Sequence, residues 1–158
     1  SFLQRVFAHY RWRALEGAGL TPRGLVAFHR RHKLLVMAHS PRALTELGRM
    51  VAQSDRDNLR DTGAAYLRKM MATLAVPATR KGHTNVLHHL MGYLKNRIDS
   101  ADKAELLEVI ELFRTGSLPL AAPLTLLGHH FRRHPHSYVA DQLYLRPLPA
   151  ELLPRDRL

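Results

Sequence analysis

The chain predicts an all-α protein, a single compact bundle of about seven or eight helices with an irregular, proline-rich C-terminal tail. Three observations carry this. Apolar residues recur at helical spacing nearly throughout, no segment alternates with period two for long, and Thr21-Pro22 and Ser40-Pro41 each pair a capping hydroxyl with proline at the first helical position. With 158 residues and 46% apolar composition, the chain suffices for one hydrophobic core, so residues 1–158 are expected to form one domain.

The elements follow in order. Leu3, Val6, Phe7, Tyr10 and Ala14 form a first stripe that ends at Gly17 and Gly19. A second helix runs through "RGLVAFHRRHKLLVMAH" after Thr21-Pro22, and a third, with Leu44, Leu47 and Val51, follows Ser40-Pro41. Asp55 is placed to cap a fourth, carrying Leu59, Tyr66, Met70 and Leu74 and stopped by Pro77. The fifth holds Val86, Leu87, Leu90, Met91, Leu94 and Ile98. Ser100 is expected to cap a sixth with Leu106, Leu107, Ile110 and Phe113, closed by Gly116 and Pro119. A shorter helix follows Pro123 through Leu124, Leu127 and Phe131, another spans Ser137 to Tyr144, and "RPLPAELLPRDRL" is the irregular tail.

Composition narrows the function. No run of eighteen apolar residues is present, so no membrane span is predicted. No signal peptide is visible, and the missing initiator Met suggests a segment of a longer protein. Cysteine is absent, which excludes disulfides, cysteine zinc sites, iron–sulfur ligation and a thiol nucleophile within these residues, and a cytoplasmic setting is expected. The 24 Lys and Arg against 13 Asp and Glu give a formal net charge of +11, which favours a polyanionic partner. No acid occurs between Glu16 and Glu46, between Asp61 and Asp99, or between Glu111 and Asp141; acids concentrate over Asp99 to Glu111.

Three polar clusters stand out. On the second helix, His29, His32 and His39 share a face with Leu25, Phe28 and Val36. They read as hydrogen-bonded core histidines, as a polar pocket with Arg30 and Lys33 at its mouth, or, less well, as metal ligands, since no carboxylate is close in sequence. In "PATRKGHTNVLHH", residues 77 to 89, Arg80 and Lys81 occupy a first helical turn, where cations oppose the helix dipole. A bound anion would reverse that balance at the free N–H groups. Pairing of Arg80 and Lys81 with the acidic sixth helix is the alternative. A helical wheel turns His83 and Thr84 inward and Asn85, His89, Gly92 and Asn96 outward, with His88 at the boundary. His29, His32, His39, Thr84 and His88 are thus candidate pocket residues.

The third cluster, "GHHFRRHPH" (128–136), offers Arg132 and Arg133 to a sugar-phosphate backbone, with histidines that charge as pH falls. His130 and His134 have metal-ligand spacing, but Pro135 follows and no third ligand is evident, so no metal is assigned. In "YRWR" (10–13), Trp12 lies off the main stripe, placed to stack on a base or to pack against another domain. No nucleophile elbow and no paired acids near the histidines are present, so no catalytic residue is assigned. The predicted contacts to a nucleic acid are Arg80, Lys81, His83, Asn85, Arg30, Lys33, Arg132 and Arg133. A helical protein-docking domain, marked by an exposed apolar patch around Phe2, Val6 and Trp12, is the competing reading, and a small histidine-dependent enzyme a weaker one.

"LVAFHRRHKLLVMAHS" (25–40), "PATRKGHTNVLHHLMGYLK" (77–95) and "GSLPLAAPLTLLGHHFRRHPHSYVADQLYLRPLPAEL" (116–152) resemble the YbgA-like family over essentially the whole chain. Pro77, Thr79, Arg80, Lys81, His83, Thr84 and Asn85 match the family pattern in order, whereas Gly82 stands where many relatives carry asparagine. Members occur alone or fused behind a TudS-like desulfidase domain, whose cysteines hold an iron–sulfur cluster. Such fusions are associated with removing sulfur from 4-thiouridine in transfer RNA, and "SFLQRVFAHYRWRAL" resembles their junction. The resemblance implies an accessory domain that captures transfer RNA, holds no cofactor itself, and leaves the chemistry to its linked or docked partner.

Overall fold

A computed structural model describes residues 2–146, and they form eight helices with no strand among them. These are α1 (Phe2–Gly17), α2 (Pro22–His39), α3 (Pro41–Ala52), α4 (Leu59–Ala75), α5 (Arg80–Gly92), α6 (Ser100–Arg114), α7 (Ala121–Arg133) and α8 (Ser137–Ala140). The all-α expectation holds. The tail expected to be irregular lies, from residue 147 onward, outside the described residues. No described helix is long and apolar enough to cross a membrane.

Contacts divide these residues into two compact units: 2–77 with 142–146, and Ala78–Asp141. In the first, α2 packs on α3 and α4, and α4 on α1. Thr21 starts α2 by accepting the Gly24 N–H at 3.0 Å. Ser40 serves two helices: its own N–H donates to the Val36 carbonyl at 2.8 Å, and its hydroxyl accepts the Ala43 N–H at 3.0 Å. The expected Asp55 cap is corrected. Its Oδ1 accepts the N–H groups of Asp57 and Asn58, both at 2.9 Å, so it ties the turn before α4 rather than the helix itself.

The α1 stripe also needs correction. Phe2, Leu3, Val6 and Tyr10 are exposed, whereas Ala8 and Trp12 are buried. Trp12 stacks on Tyr66 (5.7 Å between centroids) and meets Phe28 edge-on (5.2 Å), so it is a packing residue with no face for a base. Gly63 explains how α4 comes so close: a Cβ there would sit 2.9 Å from Leu20 Cδ2 and 3.6 Å from Trp12 Cζ2. A three-ring cluster of this size dominates the energetics of a small core.

The first unit is closed by the returning chain. The buried Gln142 carboxamide accepts the Leu34 N–H at 3.1 Å and donates to the Arg30 carbonyl at 2.7 Å. Those two backbone groups are four residues apart, the pair that bond each other in a regular helix. Leu143 N–H adds a bond to the Arg31 carbonyl at 3.0 Å.

In the second unit, α5, α6 and α7 pack pairwise around Leu87, Leu90, Leu106, Ile110, Phe113 and Leu127. Asp99, not Ser100, caps α6, accepting the Asp102 N–H at 2.8 Å; its carboxylate is the stronger acceptor and sits one residue earlier. The α5 helix ends at Gly92, and Leu94 and Ile98 are buried from the tight turns that follow. The seventh helix starts at Ala121, ahead of Pro123, which is tolerated in a first turn where its missing N–H has no helical partner. Pro135 ends it at Arg133. Only Ser137–Ala140 of the expected last helix is helical.

Candidate nucleic-acid interface

Each unit presents its own share of the predicted contact residues. Arg30 and Lys33, with His29, His32 and His39, belong to the first; Arg80, Lys81, His83, Thr84, Asn85, His88, Arg132 and Arg133 belong to the second.

In the second unit the N-terminus of α5 is built by Thr79, whose hydroxyl accepts the Gly82 N–H at 3.0 Å. One of the free N–H groups expected to hold an anion is therefore already used. Arg80 also has an internal partner. Its Nη1 donates to the Phe113 carbonyl at 2.5 Å, and its guanidinium carbon lies 4.7 Å from the centre of the Phe113 ring. Phe113 is in the last turn of α6, so a cation that opposes the dipole of its own helix complements that of its neighbour. The expected link to the acidic helix exists, but it runs to a backbone carbonyl rather than to a carboxylate.

Thr84 is buried as expected, and its hydroxyl donates to the Arg80 carbonyl at 2.8 Å. His83 is half-buried and edge-on to Phe113, 6.5 Å away. Asn85, expected outward, is half-buried, while His88 and His89 are exposed. Lys81 is exposed with no partner among the described residues, and so are Arg132 and Arg133 at the end of α7. An aromatic cluster lies beside these cations in sequence: Tyr93 is partly exposed, 4.6 Å from His136 and 5.5 Å from Tyr138. Tyr10, and in part Tyr93, are thus exposed where Trp12 is not.

The α2 histidines in the first unit are engaged internally. His29 Nδ1 bonds the buried Tyr66 hydroxyl at 3.0 Å. His32 Nδ1 donates to the Phe28 carbonyl at 2.7 Å, which fixes its tautomer, and its ring stacks on Phe28 with centroids 4.0 Å apart. His39 Nδ1 donates to the Val76 carbonyl at 2.6 Å. Burial, with Lys33 second, pushes the His29 imidazole down to about 4. Burial pushes His32 down to about 3 against the opposing effect of its Phe28 bond, and lowers His39 too. Neutral imidazoles of this kind hold helices together and cannot attract phosphate at neutral pH. No group of three or more His, Asp or Glu among the described residues is arranged to hold a metal.

The exposed outer face of α2 carries the charge instead. Arg23, Ala27 and Arg30 repeat at helical spacing on it, with Arg31 alongside, whereas Lys33 is half-buried. Residues 2–77 hold 13 Lys and Arg against five acids, while Ala78–Asp141 hold eight against six, so the first unit supplies most of the excess. Some of these cations are spent internally: Arg13 on Glu16 at 3.3 Å, and Arg42 and Lys69 on Glu46. Arg23, Arg49, Arg56, Arg60 and Arg68 are exposed with no partner among the described residues. Their signal in the sequence is the seven-residue spacing of Arg23 and Arg30, which is weaker than the dense motifs at 77–89 and 128–136.

A family model described as "Protein of unknown function (DUF1722)" matches residues 33–149. "Uncharacterized protein YbgA" of Escherichia coli (strain K12) is 36% identical over 150 residues, covering 94% of this chain and 89% of that protein. No solved structure matches.

Proposed function

We propose that this chain, which belongs to the DUF1722 family and is YbgA-like, is an RNA-binding domain that captures transfer RNA mainly through phosphates and shape. The observation that carries the reading is the cationic surface of the first unit, where Arg23, Arg30 and Arg31 lie exposed along α2 and acids are few. Lys81, Arg132 and Arg133 add cations in the second unit. Each arginine or lysine that meets a phosphate neutralises it and releases counterions, so affinity falls steeply as salt rises.

The finer part of the proposal rests on the family resemblance: the RNA is presented to an iron–sulfur desulfidase that acts on 4-thiouridine. Iron–sulfur clusters are held by cysteine thiolates, and these 158 residues contain none. The donor set does not fit a cluster, so the cluster and its chemistry belong to the TudS-like partner domain.

The test is an anisotropy titration of the chain with transfer RNA and with duplex DNA across a salt series. Tighter binding to transfer RNA, with a strongly negative salt slope, is expected; no binding to either would overturn the reading. The docking-domain reading keeps one specific support. Phe2 is 67% exposed and Tyr10 64% on the outer face of α1, an apolar row that fits a protein partner. A chain without RNA affinity that binds the desulfidase would select it.

A further inference from the structure

We infer that the first unit holds a separate pocket for a flat ring carrying a phosphate, that is, a nucleoside monophosphate, free or as one nucleotide of an RNA strand. The pocket is a cavity of about 560 Å³ walled by α1, the loop after it, the turn before α4 and the start of α4. Cavities in this range hold small organic ligands.

Its lining divides by chemistry. Leu20, Leu59 and Ala64 give an apolar wall, backed by the buried Trp12 indole, which packs on Phe28 and Tyr66. Arg56 and Arg60 stand at the same cavity, exposed and without a partner among the described residues. The neighbouring acids do not neutralise them in the structure: Asp55 is bonded to the backbone of Asp57 and Asn58, Asp57 and Asp61 form no ion pair among the described residues, and Glu16, which also lines the cavity, is paired with Arg13. Two guanidiniums beside an apolar wall match an amphiphilic anion. Their planar forks suit phosphate oxygens, and the wall takes the ring. Glu16, the one acceptor on the lining, suits a ribose hydroxyl. The close approach that Gly63 permits keeps Leu20 and Trp12 against α4, so the wall is fixed before any ligand arrives.

Trp12 is the only tryptophan of the chain, so its fluorescence reports on this pocket. The test titrates the full chain with uridine and adenosine monophosphates, the matching nucleosides, inorganic phosphate and a short single-stranded RNA, by calorimetry and Trp12 emission together. Saturable binding of the monophosphates, weaker for nucleoside or phosphate alone, is expected. Arg56→Ala/Arg60→Ala should weaken it roughly tenfold or more. Arg42→Ala/Arg114→Ala, with the same charge loss at cations already paired with Glu46 and Glu111 away from the cavity, should not.

Binding of the RNA strand alone, lost in the Arg56→Ala/Arg60→Ala variant, would support the pocket and assign its ligand to RNA. That arm rests on the RNA reading, whereas the free-nucleotide arm does not, so failed transfer-RNA capture with intact monophosphate binding would separate the two. No saturable heat or emission change with any phosphate-bearing ligand, or equal losses in both double variants, would overturn the pocket.

Discussion

Arg80 holds the end of a neighbouring helix: its guanidinium bonds the Phe113 carbonyl at 2.5 Å and lies over the Phe113 ring. A side chain that a motif suggests for ligand contact is thereby tied to α6. Arg80→Ala removes a charge-assisted bond and a cation–π contact, and the expected cost is about 1–2 kcal/mol of stability. Urea unfolding measures it. Unchanged stability together with weakened RNA binding would return Arg80 to the interface.

Lys81, the next residue, has no such partner and should behave in the opposite way. Lys81→Ala and Arg23→Ala are expected to leave the melting temperature unchanged. Each should reduce the magnitude of the salt slope of transfer-RNA binding by roughly 0.7–0.9, the loss expected for one phosphate contact. Either variant with wild-type affinity and slope removes that residue from the interface.

The contrast between these neighbours shows what local pattern can and cannot reveal. Helix existence was legible because apolar spacing and the Thr21-Pro22 and Ser40-Pro41 starts are local. The face of α1 was not, because Leu3, Val6 and Tyr10 make a better stripe than Ala8 and Trp12, and only Phe28 and Tyr66 decide which side is buried. Arg80 and Gln142 were misjudged or missed for the same reason. Their partners lie 33 and 112 residues away, and neither spacing nor composition encodes such pairs. The histidine face of α2 was readable as a face, but its role depended on Tyr66, Phe28 and Val76.

Those histidines make stability depend on pH with a definite sign. His32 is held down to about 3 and His29 to about 4, so both are neutral in the fold while the unfolded chain protonates near 6.5. Their stabilisation is complete above pH 6.5 and is lost as pH falls below it. For His32 the loss reaches about 2 kcal/mol at pH 5. Urea unfolding at pH 7.5 and pH 5 should show a clear drop, and His32→Leu should reduce that drop whatever its absolute stability. An identical pH dependence in the variant would rule out His32 as a source.

Gln142 provides the most stringent check on the fold. Its amide bridges the Leu34 N–H and the Arg30 carbonyl from a fully buried position, so Gln142→Leu keeps the volume while stripping both bonds. Leaving buried backbone groups without partners costs about 1–3 kcal/mol each. The two groups are an i, i+4 pair of the continuous α2 helix and can bond each other, which recovers part of the loss. The expected net cost is therefore about 2 kcal/mol, read as a lower urea midpoint with an unchanged slope. Gln142→Glu should be worse than Gln142→Leu at neutral pH, since a buried carboxylate would face the Arg30 carbonyl without a proton to donate. Acidification should bring the Glu variant closer to the wild type, because the protonated acid offers one donor and one acceptor as the amide does. If Glu is tolerated equally at pH 8 and pH 5, the amide does not form this bridge in solution.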